Sequence, residues 1–210
     1  MGTLNLLVLL SGTISLLALA ALHVVSPEYA PTWRMISEYA MGKHKWLITT
    51  FFYGWGTSSI LLAFVLWSKV SSSWAIFGVA MLVLSAVGEI MGGLFDVKHK
   101  LHGLSFMLGV PAVPIAALLI GYGLAGESID ASQRSLLLFS SHATWISLVL
   151  MGVAMGVMIS GFQKAGIKMG PDEKPPEQVP AGVIAWAGYA NRLLVACYVG
   201  WVLVTAALVS

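Results

Sequence analysis

Six uninterrupted apolar stretches, residues 4–25, 46–67, 74–94, 101–123, 135–161 and 183–209, take up most of this 210-residue chain. Each reaches the ~20 residues that a tilted helix needs to cross the hydrocarbon of a bilayer. No water is present there to satisfy backbone N–H and C=O groups, so a stretch of this length must be helical. The expected fold class is all-α: a polytopic transmembrane helical bundle of six spans, with residues 1–210 forming one domain. Composition agrees, since 58% of residues are hydrophobic, 10% are charged and mean hydropathy is +0.87. Such a balance is far from that of a soluble domain and leaves little chain for one.

Several function classes are thereby disfavoured. A net charge of +2 is too small to imply nucleic acid as a partner, and no glycine-rich phosphate loop precedes a helix. Cys197 is the single cysteine, so disulfides and cysteine-based metal sites within one chain are excluded. Ala18 and Ala20 give the first stretch an A-x-A pattern, but a basic leader region is missing, and it is expected to be a retained span. Nine basic residues (Arg34, Lys43, Lys45, Lys98, Lys100, Lys164, Lys168, Lys174 and Arg192) fall at one face and two, Lys69 and Arg134, at the other. The asymmetry predicts a cell (inner) membrane protein with the basic connections in the cytoplasm and both termini outside. Trp46, Trp67 and Trp74 sit at span ends, where indole rings favour the headgroup level, whereas Trp55 and Trp145 lie deeper and are expected to pack.

Packing signals are the G-x-x-x-G pairs Gly88/Gly92 in the third span and Gly152/Gly156 in the fifth, which predict close helix seams. Pro111 and Pro114 are expected to bend the fourth span. Residues 26–45 read as a short amphipathic surface helix with Arg34, Ser37 and Glu38 on its polar side and Gly42 ending it in a left-handed conformation. Residues 161–180, rich in proline and charge, read as a polar linker without a site.

Ionisable groups inside spans are expensive in lipid and by default mark a function or a buried partner. Glu89 lies about five residues from the end of its span, ~8 Å deep at the helical rise. Asp96, seven residues on, would share its helical face. Asp96, His99 and His102 follow at intervals of three, and His23, Asn191 and Arg192 fall on the same side of the membrane. An ion pair between Glu89 and Arg192 is the expected compensation for two costly charges. His142, ~10 Å in from the opposite face, is expected to be a neutral histidine bonded to a helix neighbour such as Ser141 or to a facing carbonyl.

The runs SPEYAPTWRMISEYA and GEIMGGLFDVKHKLHGLSF carry a resemblance to the DUF998 family, uncharacterised six-span membrane proteins of bacteria and archaea. In that family an S-P element, an I-S-E element and a G-x-F-x-D element followed by His recur. They match here at Ser26-Pro27, at Ile36-Ser37-Glu38, and at Gly93 to Asp96 with His99 or His102; the family's F-P-x-D form is absent, because Asp96 follows Phe95 directly. The I-S-E element is also similar to one in eukaryotic six-span proteins of glycosylphosphatidylinositol-lipid remodelling and autophagy modulation. Neither resemblance implies a particular reaction.

The function expected from these residues is a polar, headgroup-level pocket of Arg34, Ser37, Glu38, Glu89, Asp96, His102 and Arg192 that binds membrane lipid, an anionic headgroup in particular, or a partner membrane subunit, without catalysis or cofactor. The alternative is a metal-dependent intramembrane lipid hydrolase or remodelling enzyme with zinc on Asp96, His99 and His102 and Glu89 as general base. No H-E-x-x-H motif supports it. A haem carrier would need axial histidines at matched depth, and no such pair is present. A transporter would show an internal repeat, and none is detected.

Overall fold

The computed structural model describes residues 2–126, 130–167 and 176–210. It contains six long helices, α1 (Thr3–Val25), α2 (Lys45–Trp67), α3 (Ser73–Leu94), α4 (His102–Ala125), α5 (Ala131–Lys164) and α6 (Ala187–Leu208), with a short 3₁₀ helix (Ile36–Met41) after α1. All six long helices have the length and hydropathy to cross a membrane. Each packs on the next in chain order and α1 closes on α6, which arranges the bundle as a ring. Across its centre α2 meets α6, where Trp55 and Tyr198 form an edge contact at 6.1 Å between ring centroids.

Small residues set the seams because lipid solvates an apolar surface as well as a neighbouring helix does, leaving close packing and polar bonds to hold helices together. At the α3–α4 seam Gly88 lies against the backbone of Gly109, and any side chain at position 88 would collide with it. Gly54 of α2 sits under the Ser11 carbonyl of α1, and Ser15 donates to the Phe51 carbonyl at 2.7 Å. Asn5 ties α1 to α6 by donating to Ala206 O at 2.9 Å. Trp201 of α6 donates to Ser141 of α5 at 3.1 Å. The second expected glycine seam does not exist: Gly152 and Gly156 face open space, with nothing within 4 Å of an added Cβ.

Pro111 and Pro114 lie inside α4, which runs on past both. Pro114 has no N–H to offer Val110, its partner four residues back. The Tyr198 hydroxyl donates to that carbonyl at 2.9 Å, so the group the proline orphans is bonded across the bundle.

Segment 26–45 is not a surface helix. Its only helix is the six-residue 3₁₀ turn, Gly42 ends it at φ −91 instead of in a left-handed state, and Ser26, Ile36 and Tyr39 are buried. The chain folds inward because α6 receives it. Gly188 is tight against the backbone of Pro31, Trp33 and Arg34, and its N–H donates to Thr32 O at 2.9 Å. Trp33 packs edge-on to Phe162 of α5. The fifth helix is longer than its apolar run. Asp130 caps its start by accepting from the Ser132 and Gln133 amides at 2.9 Å each, and its other end takes in residues assigned to the linker. The sixth begins four residues later than expected, beyond Gly182, which has φ +80. Residues 168–175 of the expected linker, including Lys168, Lys174, Pro171 and Pro175, lie outside the described residues.

Tyr198→Phe strands the Val110 carbonyl in a buried setting. It should lower stability by about 1–3 kcal/mol, read as earlier unfolding in mild detergent, with an unchanged helical spectrum.

Candidate functional site

Two separate polar groupings occupy the end of the bundle where α1 ends and α6 begins. The first is centred on Arg192. Its Nε donates to His23 Nε2 at 2.6 Å, one terminal nitrogen donates to Arg34 O at 2.7 Å and Gly188 O at 3.0 Å, and the other donates to the Tyr39 hydroxyl at 3.1 Å. The His23 Nδ1 lies 2.7 Å from Leu19 O. A carbonyl only accepts and Arg192 only donates, so the ring is neutral with its proton on Nδ1. Beside this hub Arg34 lies over the Trp33 ring at 4.7 Å, and its Nε is 3.1 Å from Glu38 Oε2. The other Glu38 oxygen accepts from Met35 N at 2.9 Å.

Arg192 thus binds α1, the 26–42 segment and α6 to one another. The expected Glu89–Arg192 ion pair is not formed: among the described residues the ion pairs are Arg34–Glu38 and Lys45–Asp96. Backbone carbonyls, a neutral histidine and a phenol satisfy the guanidinium in place of a carboxylate. Five planar N–H groups make that arrangement possible for arginine alone.

The second grouping lines a partly open cavity of about 630 Å³ between α2 to α6, with Met35, Ile36 and Ser37 at one end. This volume is typical of a site for a small organic molecule. The walls are apolar, formed in part by Phe52, Trp55, Val110, Met151 and Leu194. Phe106 and Met107, at its α4 side, are also exposed on the outside of the bundle, and Gly152 and Met155 form the facing strip of α5.

Glu89 projects into this wall and is only 2% exposed. One carboxyl oxygen accepts from Ser59 at 2.8 Å, while the other has no hydrogen-bond partner. Asn191 spans the cavity cap: its Oδ1 accepts from Ile36 N at 3.0 Å, and its Nδ2 faces the Met151 sulfur at 3.6 Å. The His102 Nδ1 lies 3.0 Å from Phe95 O, and Ser105 donates to Leu101 O at 3.0 Å.

Of the seven residues expected to share one pocket, Ser37, Glu89 and His102 line the cavity. Arg34, Glu38 and Arg192 belong to the neighbouring hub. Asp96 lies apart from both: α3 ends at Leu94, which removes Asp96 from the face it was expected to share with Glu89. It accepts from Lys98 N at 3.1 Å and pairs with Lys45 at 3.4 Å. Slight burial raises the Asp96 pKa, but these bonds outweigh it and hold the carboxyl below its ordinary value.

His99 stacks on Phe95 and accepts from Leu101 N, so Asp96, His99 and His102 each have other partners. Among the described residues no group of three or more His, Cys, Asp or Glu is placed to hold a metal ion. At the opposite end, Trp145 donates to His142 Nδ1 at 2.8 Å, and Tyr122 contacts Nε2 at 3.0 Å. Trp145 is a helix neighbour of the expected kind, though not Ser141, and it lies on the exterior instead of packing inside.

Ser59, Ser105 and the aromatic wall were not singled out from sequence. A lone serine in an apolar span carries little signal, because its hydroxyl ordinarily bonds to its own helix, as Ser105 does.

Six helices long and apolar enough to cross a membrane define a multi-pass membrane protein. The family model described as "Protein of unknown function (DUF998)" matches residues 9–208, and the chain belongs to that family. No curated protein and no solved structure matches it.

Arg192→Lys retains the charge and loses the planar fork, while Arg192→Leu loses both. Both should lower the unfolding temperature in mild detergent, Leu by about 2–3 kcal/mol from the lost charge-assisted bonds. Recovery of wild-type stability by Lys would contradict the role given to the guanidinium geometry.

Proposed function

We propose that this protein binds a membrane lipid, holding one apolar chain in the internal cavity without catalysing a reaction on it. The observation that carries this reading is a cavity of about 630 Å³ with apolar walls inside a bundle whose outer surface faces hydrocarbon. Hydrocarbon chains are the most abundant apolar groups at that depth. Phe106 and Met107 on α4, with Gly152 on α5, line it from the side where these helices meet lipid, a route that needs no passage through water. The arrangement differs from an anionic-headgroup site, because neither Arg34 nor Arg192 lines the cavity and both are engaged elsewhere.

Two glycines of one helix provide a matched test. Gly152 and Gly156 both have open space where a side chain would go, but only Gly152 lines the cavity. Native mass spectrometry of protein purified in mild detergent should show bound lipid in wild type and in Gly156→Trp, and loss of it in Gly152→Trp. Equal retention by both variants would place the lipid elsewhere. A second protein retained in place of lipid would favour a partner subunit as the ligand.

The basic connections are proposed to lie in the cytoplasm of a cell whose inner membrane holds the protein, on the charge asymmetry alone. In a background lacking Cys197, Lys69→Cys should react with an impermeant thiol reagent on intact cells, and Lys98→Cys only after permeabilisation. The reverse pattern would invert the topology.

A further inference from the structure

We infer that the cavity selects a single-chain amphiphile whose polar end donates hydrogen bonds, an alcohol or an amine, over one that ends in a carboxylate. The inference rests on the lipid-binding reading and adds the chemistry of the head to it. Its basis is the set of polar valences left unused in the cavity wall.

Glu89 is 2% exposed, accepts from Ser59 through one oxygen and leaves the other without a partner. Among the described residues no lysine or arginine lines the cavity, and the neighbouring guanidinium of Arg192 is taken up by His23, Tyr39 and two carbonyls. The His102 ring can only donate to Phe95 O through Nδ1, so in its neutral form Nε2 is a further acceptor. Ser105 has already given its proton to Leu101 O. Donors remain as well: the Trp55 indole N–H is buried in the wall without a partner, Ser37 lines the cavity with its hydroxyl, and the Asn191 amide has only a weak contact with the Met151 sulfur.

A hydroxyl matches this set in both directions, giving its proton to the free Glu89 oxygen and accepting from an amide. An ammonium matches it more strongly, because it brings the cation that the buried carboxyl lacks. A carboxylate head does not match. Unless the head and Glu89 are both protonated, which gives up the carboxylate, at least one negative charge stays buried with no cation beside it.

The test uses full-length protein stripped of lipid in mild detergent and three probes of equal chain length: hexadecanol, hexadecylamine and palmitate, with binding read by native mass spectrometry titration. Wild type should bind the alcohol and the amine at least about tenfold more tightly than palmitate, a gap equivalent to one good polar contact. Glu89→Gln should weaken the amine by about tenfold and the alcohol less, since an amide still accepts a hydrogen bond but carries no charge. A stronger preference for the amine than for the alcohol in wild type would assign the head as cationic; equal binding would assign it as neutral.

Palmitate binding as tight as the alcohol in wild type would overturn the inference, as would an unchanged preference in Glu89→Gln. If that variant does not fold, the wild-type preference decides alone. Gly152→Trp separates the two levels. Loss of all three probes there, with no head preference in wild type, sinks the headgroup selection and leaves the lipid cavity standing. Undiminished binding in Gly152→Trp, or no binding of any probe to wild type, removes both.

Discussion

Hydrocarbon offers no hydrogen bonds, and the fold is organised by the need to find every polar group an internal partner. The Val110 carbonyl shows the rule at its smallest scale. A proline four residues on removes its helical donor, and a tyrosine on a different helix replaces it. Asn5, Ser15 and Trp201 do the same between other helices, each reaching a carbonyl or hydroxyl on a neighbour. The bonds that satisfy the polar atoms are therefore also the bonds that fix which helices meet.

Arg192 extends the rule to a charge. Its guanidinium is stabilised by two backbone carbonyls, a phenol and a neutral imidazole, drawn from α1, the 26–42 segment and α6 itself. A carboxylate partner is unnecessary where so many oriented dipoles converge. The consequence falls on the cavity next door, because a satisfied Arg192 leaves Glu89 without a cation. Its free oxygen, with the unpartnered Trp55 indole N–H in the same wall, marks a place in the bundle where internal partners are missing. A buried polar group left this way in a roomy cavity is the feature that points outward to a ligand.

Glycine has opposite uses on the two sides of that cavity. Gly88 brings α3 and α4 into backbone contact, which makes a tight wall. Gly152 supports no contact and leaves room on α5. The same four-residue spacing thus closes one seam and leaves another helix face bare, since the motif reports only that a face is small, and the neighbour decides whether anything rests on it.

The class, the number of spans and the burial of Glu89 were legible in the residues alone, because hydrophobic length and the cost of a charge in lipid are local properties. Trp46, Trp67 and Trp74 stand exposed at helix ends, where the span boundaries put them. The sequence did not reveal the pairing of Arg192, the detachment of Asp96 or the inward fold of residues 26–45. Depth along a helix can be counted from a span end, but rotation about its axis and the identity of its neighbour cannot. One turn at Leu94 sent Asp96 to Lys45, and the docking of a loop on Gly188 gave Arg192 its carbonyls. Only the packing of six helices into a ring decided which polar groups were left unsatisfied, and that residue of unmet bonds is what gives the cavity its chemistry.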